Sequence, residues 1–128
     1  MDLLRLPYIF NIIVLVPVGL LTLFGGERGV RIVFQDRCRD SEAVRTILGS
    51  LWTAILIASV IGLAYPVAMS PLLLVQTIYK SLWLLVFVLP RLMTGRAGEI
   101  PPGVAWTFAV IVATYPLVTP WAKLFAEG

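Results

Sequence analysis

The residue in this chain best placed to do chemistry is Lys80, which interrupts a long apolar stretch within the string Leu74-Val75-Gln76-Thr77-Ile78-Tyr79-Lys80-Ser81-Leu82-Trp83. An ammonium in such a setting can meet an anion, bond to carbonyl oxygens, or run its four-carbon stem out to water. If the stretch is helical, residues three and four apart share a face. Gln76, Lys80, Trp83 and Phe87 then line up, with Tyr79 and Ser81 beside them. An amide, an ammonium, a phenol and an indole in one place could hold an anionic lipid headgroup, a quinone carbonyl or a carboxylate from another subunit. Gln76, Tyr79, Lys80 and Trp83 are therefore the candidate ligand or partner contacts.

Other chemistry is excluded by what the chain lacks. It has no histidine, which removes His-ligated haem, His-containing zinc sites and Ser-His-Asp catalysis. Its one cysteine, Cys38, can form neither an internal disulfide nor a C-x-x-C redox pair. Four-helix quinone-linked disulfide oxidases and vitamin K epoxide reductases need cysteine pairs, so those classes drop out. Cys38 lies between Arg37 and Arg39, which would lower a thiol pKa, but a lone loop thiol carries no assignment. No catalytic constellation and no metal set emerge, so the chain reads as a non-enzyme. No cofactor is required, although a bound lipid or quinone would suit Lys80.

The elements that must position Lys80 follow from composition. Hydrophobic residues make up 59% of the 128 and charged residues only 13%. Soluble domains carry about 25% charged residues. The apolar residues also come in blocks long enough to cross about 30 Å of hydrocarbon. The expected fold is all-α, a polytopic membrane protein with four transmembrane helices in one bundle, forming a single domain over residues 1–128. The spans are expected at residues 6–24, 46–65, 71–90 and 103–122. Lys80 is then about 15 Å deep at about 1.5 Å per residue. A lysine there costs about 2.5–3.5 kcal/mol on insertion scales. No Asp or Glu falls in any of these spans to offset it. Small multidrug exporters, which need a membrane-embedded carboxylate, are excluded on the same ground.

The connections set orientation. A polar loop, residues 25–45, holds five arginines, and residues 91–102 hold Arg91 and Arg96. The opposite face has only Arg5 and Lys123. This asymmetry places both loops in the cytoplasm and both termini outside, in a bacterial inner membrane. Residues 1–24 read as a retained span. Asp2 and Arg5 make a weak basic region, Pro17 interrupts the apolar run, and no small-x-small cleavage site follows. Residues 66–70 form a tight hairpin in which Ser70 can cap the next helix and Pro71 suits its first turn. Val30-Arg31-Ile32-Val33-Phe34 suggests a short helix lying on the cytoplasmic leaflet. Gly25, Gly26 and Gly29 superficially match small fluoride channels, but the arginine spacing differs and the asparagine-bearing second helix is missing.

Within the second span, Ser50, Ala54, Ala58 and Gly62 repeat every fourth residue, a small-residue stripe suited to close helix packing. Pro116 and Pro120 should kink the fourth span, and Asn11 should make an interhelical hydrogen bond. Tyr8, Tyr65 and Trp121 at one face, and Phe24 and Trp106 at the other, fit interfacial anchors.

The layout resembles the DoxX-like group of small four-helix membrane proteins. The parallel covers most of the chain: an apolar first helix, a polar linker ending near Ser41-Glu42-Ala43-Val44-Arg45, a helical hairpin and a last helix. It rests on layout and transfers no functional residue. Some members resemble accessory subunits of quinone-linked oxidoreductases. The leading expectation is thus a non-catalytic membrane subunit packing beside a larger bioenergetic or transport complex. The alternative is a quinone-, lipid- or small-molecule-binding protein or transporter centred on Lys80. The partners expected are membrane lipids and other membrane subunits, or a second copy. The net charge of +3 reads as membrane topology and does not point to nucleic acid.

Overall fold

A computed structural model describes residues 3–37 and 39–126. Asp2 and Cys38, both used in the reading above, lie outside them. Among the described residues every regular element is helical. Helix α1 spans Arg5–Phe24, α2 Gly26–Phe34, α3 Glu42–Ala64, α4 Pro71–Trp83, α5 Leu89–Met93, α6 Pro102–Val118 and α7 Trp121–Leu124. A π-helical turn, Leu84–Val88, joins α4 to α5 without a break. Three helical stretches are long and apolar enough to cross a membrane: Arg5–Phe24, Glu42–Ala64 and Pro71–Met93. The last large helix, Pro102–Val118, is apolar but shorter at 17 residues.

Helices α1 and α3 form the most extensive pairing and run antiparallel. At one end the Arg5 guanidinium Nε donates to the Leu63 carbonyl at 3.0 Å. Next to it Gly62 meets the Tyr8 ring, and a Cβ on Gly62 would lie 2.6 Å from it. Gly19 faces the Thr53 backbone with room for a methyl, at 3.6 Å. At the far end Gly49 abuts the Leu23 backbone, where a Cβ would fall 2.6 Å from the Leu23 Cα.

This seam differs from the stripe of every fourth residue. Gly62 belongs to it, whereas Ser50 and Ala54 are exposed and Ala58 is half-buried. Four residues turn a helix about 40° past a full circle, so a strict four-residue repeat drifts around the surface. The buried positions Gly49, Trp52, Ile55, Ser59 and Gly62 are spaced by threes and a four and stay on one side. Tyr8 is also placed differently from an interfacial anchor. It is fully buried, and its hydroxyl donates to the Pro66 carbonyl at 2.6 Å, tying α1 to the α3–α4 hairpin. Tyr65, Trp121, Phe24 and Trp106 are outward-facing as expected.

The short helix expected around residues 30–34 is present as α2, with Val30 and Val33 turned into the bundle and Ile32 outward. The chain reverses after α1 through Gly26, whose φ of +61° suits glycine. Gly29 then lies against the Leu21 carbonyl, closer than any side chain would permit. Val30 and Val33 are buried, and Phe34 stacks on Trp52 at 6.0 Å between centroids. Glu27, Arg28 and Arg31 point outward. Val30, Val33 and Phe34 thus pack on the bundle, and Ile32 is the apolar residue of this helix that stays exposed.

The third stretch runs past its expected end at residue 90. Pro90 lacks an N–H and its ring would strike the Val86 carbonyl in an α-helix. The π turn relieves this, with the Leu89 N–H bonding the Leu84 carbonyl. The fourth stretch stops earlier than residue 122. Pro120 disfavours helical backbone at Thr119, which is extended with ψ of 131°. Pro116 is accommodated within α6, and the Trp121 indole caps its carbonyl at 2.8 Å. Ser70 is not a side-chain cap for α4: its hydroxyl donates to the Val67 carbonyl at 2.6 Å.

Candidate functional site

The core holds a polar cluster drawn from four helices. The Asn11 amide donates to the Ser59 hydroxyl at 3.0 Å and to the Gln76 carbonyl oxygen at 2.8 Å. Its own carbonyl oxygen accepts from Gln76 Nε2 at 3.2 Å and from the Tyr115 hydroxyl. Tyr115 also donates to the Pro7 carbonyl at 3.0 Å, and Ser59 to the Ile55 carbonyl at 2.7 Å. Both donors of the Asn11 amide are therefore occupied, and so are those acceptors a ligand would want. Gln76 was expected to contact a ligand or partner; the structure places it in this network, fully buried.

One helical turn further along α4 is Lys80, only 3% exposed. Its Nζ sits 4.7 Å from the centroid of the Tyr79 ring and 4.8 Å from that of Phe108 on α6. The two rings meet edge to face at 5.9 Å. Trp83 packs on Phe108 at 5.1 Å, and the Trp52 indole donates to the Tyr79 hydroxyl at 3.3 Å. Among the described residues Lys80 has no hydrogen-bond partner and no carboxylate partner. Each desolvated ring stabilises a cation by up to about 2 kcal/mol. Two of them are of the same order as the roughly 2.5–3.5 kcal/mol cost of a lysine deep in hydrocarbon. They offer no strong acceptor for its N–H groups.

Lys80 forms part of the wall of a cavity of about 330 Å³. Helix α1 supplies Asn11, Val14, Leu15 and Val18, and α6 supplies Val104, Thr107, Phe108 and Ile111. Trp52 and Lys80 reach it from α3 and α4. Val33 and Gln35, at the C-terminal end of α2, complete the lining. Gln35 ends α2 in the left-handed conformation, φ 53°, and its side-chain carbonyl accepts the Gly103 N–H at 2.7 Å. That contact fixes α2 over the start of α6. Pro17, Ile32, Gln35 and Gly103 are exposed at the rim, so the cavity opens sideways between α1 and α6 where α2 crosses them. A second, apolar groove of about 410 Å³ follows the same seam, walled by Phe10, Ile13, Val110 and Thr114.

Of the four residues expected to contact a ligand, Lys80 alone lines this cavity. Tyr79 and Trp83 stand behind it as the aromatic cage, and Gln76 sits in the neighbouring network. Sequence reasoning did not single out Trp52, Phe108, Val33 or Gln35. The only signal for Val33 was the amphipathic pattern of α2, and nothing local marks Phe108 or Gln35. Among the described residues no group of three or more His, Cys, Asp or Glu could hold a metal ion. No protein-family model matches the chain, and no curated protein or solved structure shows significant similarity to it.

Proposed function

We propose that this chain is a small four-span membrane protein that binds a lipid-soluble small molecule in the cavity between α1 and α6, with Lys80 as the polar anchor. One observation carries the reading: a nearly fully buried lysine, with no hydrogen-bond or carboxylate partner among the described residues, lines a cavity that opens sideways between two apolar helices. A volume of about 330 Å³ falls at the lower end of ligand pockets, about 300–1,000 Å³. A mostly apolar wall with one fixed polar group is what such pockets use for orientation.

Four spans are supported by the length of α6. Its 17 residues rise about 25 Å, at the short end of the range that crosses a bilayer. The arginine asymmetry supports residues 25–45 and 91–102 on the cytoplasmic side of the inner membrane. Ser41 is exposed, so Ser41→Cys in a Cys38→Ser background reads this out. Intact cells should leave that thiol unlabelled by an impermeant maleimide until they are lysed. Labelling before lysis would reverse the orientation.

Ligand binding is tested on protein purified in lipid nanodiscs, with extraction and mass analysis of what copurifies. The expected result is an enriched lipophilic species in the native protein, reduced several-fold in Lys80→Met at equal protein. Identical extracts from a folded Lys80→Met would remove Lys80 from the reading. A second reading, a non-catalytic subunit beside a larger complex, is favoured by the outward-facing Ser50 and Ala54 and by the DoxX-like layout. Native purification separates the two: a stable larger assembly supports the subunit, and a lone bundle with bound ligand supports the binder.

A further inference from the structure

We infer that the ligand is a single-chain amphiphile with a monoanionic head, of the long-chain carboxylate type, seated head-inward on Lys80 with its tail along the α1–α6 seam. This rests on the binding reading above and goes beyond it by fixing the chemical class. The first argument is donor bookkeeping at the inner wall. Asn11 has both amide donors engaged, and the Trp52 indole is committed to Tyr79. The Thr107 hydroxyl donates to the Gly103 carbonyl. The Gln35 amide also borders the cavity but is exposed, which leaves Lys80 as the buried side chain whose donors, three N–H groups on one point charge, are not taken by a hydrogen bond. Tyr79 and Phe108 can engage two of them. A ligand meeting the remainder needs one compact acceptor group.

The second argument is charge. No carboxylate among the described residues pairs with Lys80. A neutral carbonyl would accept a hydrogen bond but leave the cation uncompensated in an apolar wall. A carboxylate does both, because charge-assisted hydrogen bonds are the strong ones. The third argument is shape. The apolar groove is a separate pocket next along the same two helices: Val14 and Pro17 of the cavity neighbour Ile13 and Phe10 of the groove in α1, and Thr107 and Ile111 neighbour Val110 and Thr114 in α6, so a tail leaving the cavity along this seam would enter it. This path lies between two helices, which suits one hydrocarbon chain and not the two of a phospholipid.

The test uses the full chain in nanodiscs and a fluorescent polyene fatty acid as probe, displaced by palmitic acid, methyl palmitate or a short-tailed benzoquinone. The acid should bind to one site. The ester and the quinone should be roughly 10–100-fold weaker, the loss of one charge-assisted hydrogen bond. Lys80→Met should abolish the preference for acid over ester. Ile13→Trp, which fills the groove while keeping Lys80, should weaken palmitate more than an eight-carbon acid. If ester or quinone matches or exceeds the acid on the native protein, the anionic head is wrong while the binding reading stands. If none of the three binds, both fail.

Discussion

Replacing Gly49 with alanine should loosen α1 from α3, while the same change at Gly19 should not. Both glycines lie in one antiparallel interface, and both substitutions add one methyl group. At Gly49 that methyl would sit 2.6 Å from the Leu23 Cα and backbone nitrogen. Backbone cannot swing aside as a side chain can, so the two helices must separate. Overpacking of this kind costs about 1–3 kcal/mol, and a backbone neighbour puts it toward the upper end. At Gly19 the nearest atoms are 3.6 Å away, ordinary contact. There the gain in helix propensity, about 1 kcal/mol for alanine over glycine, should dominate. The measurement is helicity against SDS mole fraction in mixed micelles. Equal midpoints for the two variants would show that the close approach at Gly49 is not a constraint.

Asn11→Leu should cost about 1–3 kcal/mol, and adding Gln76→Leu should restore part of the loss. The reasoning lies in who is stranded. Without Asn11, Ser59 keeps the Ile55 carbonyl and Tyr115 keeps the Pro7 carbonyl. Gln76 keeps nothing: both ends of its amide bond only to Asn11, and it is fully buried. A buried polar group left without a partner costs about 1–3 kcal/mol, whereas removing both partners can be nearly neutral. The double variant should therefore be more stable than Asn11→Leu alone, a coupling opposite to simple addition. Interhelical hydrogen bonds in membrane proteins average only about 0.6 kcal/mol, so the stranding term should outweigh the lost bonds. A double variant less stable than the single would mean the network is not arranged as described.

Much of this architecture was legible in the sequence because it depends on local pattern. Of the four apolar blocks read as spans, three form helices long and apolar enough to cross a membrane, and the fourth forms a shorter apolar helix. Spacing along α4 correctly put Gln76 and Lys80 on one buried face. Asn11, a lone amide in an apolar run, proved to join helices. The cavity was not legible, because its walls come from distant segments. Phe108 reaches Lys80 from α6, and Val33 and Gln35 arrive only because α2 folds back through Gly26. The α1–α3 seam shares only Gly62 with the small-residue stripe, because a strict four-residue repeat drifts around a helix while the buried positions are spaced by threes and fours. Tyr8 looked like a surface anchor because nothing local reveals that Gly62 leaves room for its ring. The π turn needed Pro90 to be read against the carbonyl four residues back.

The Asn11 network also has a consequence for how the chain is made. Its members lie at residues 11, 59, 76 and 115, so they leave the ribosome in that order. The α1–α3 hairpin can dock first, with the amide resting on Ser59. Arrival of α4 occupies the rest of the amide through Gln76. Tyr115 comes last and bonds both Asn11 and the carbonyl of Pro7. A product interrupted before α6 leaves an asparagine–glutamine pair facing an open seam, beside an ammonium missing one of its two rings. Such exposed polar groups in an apolar phase are what membrane proteases and insertion chaperones can recognise. One amide in α1 thereby registers whether α6 has arrived.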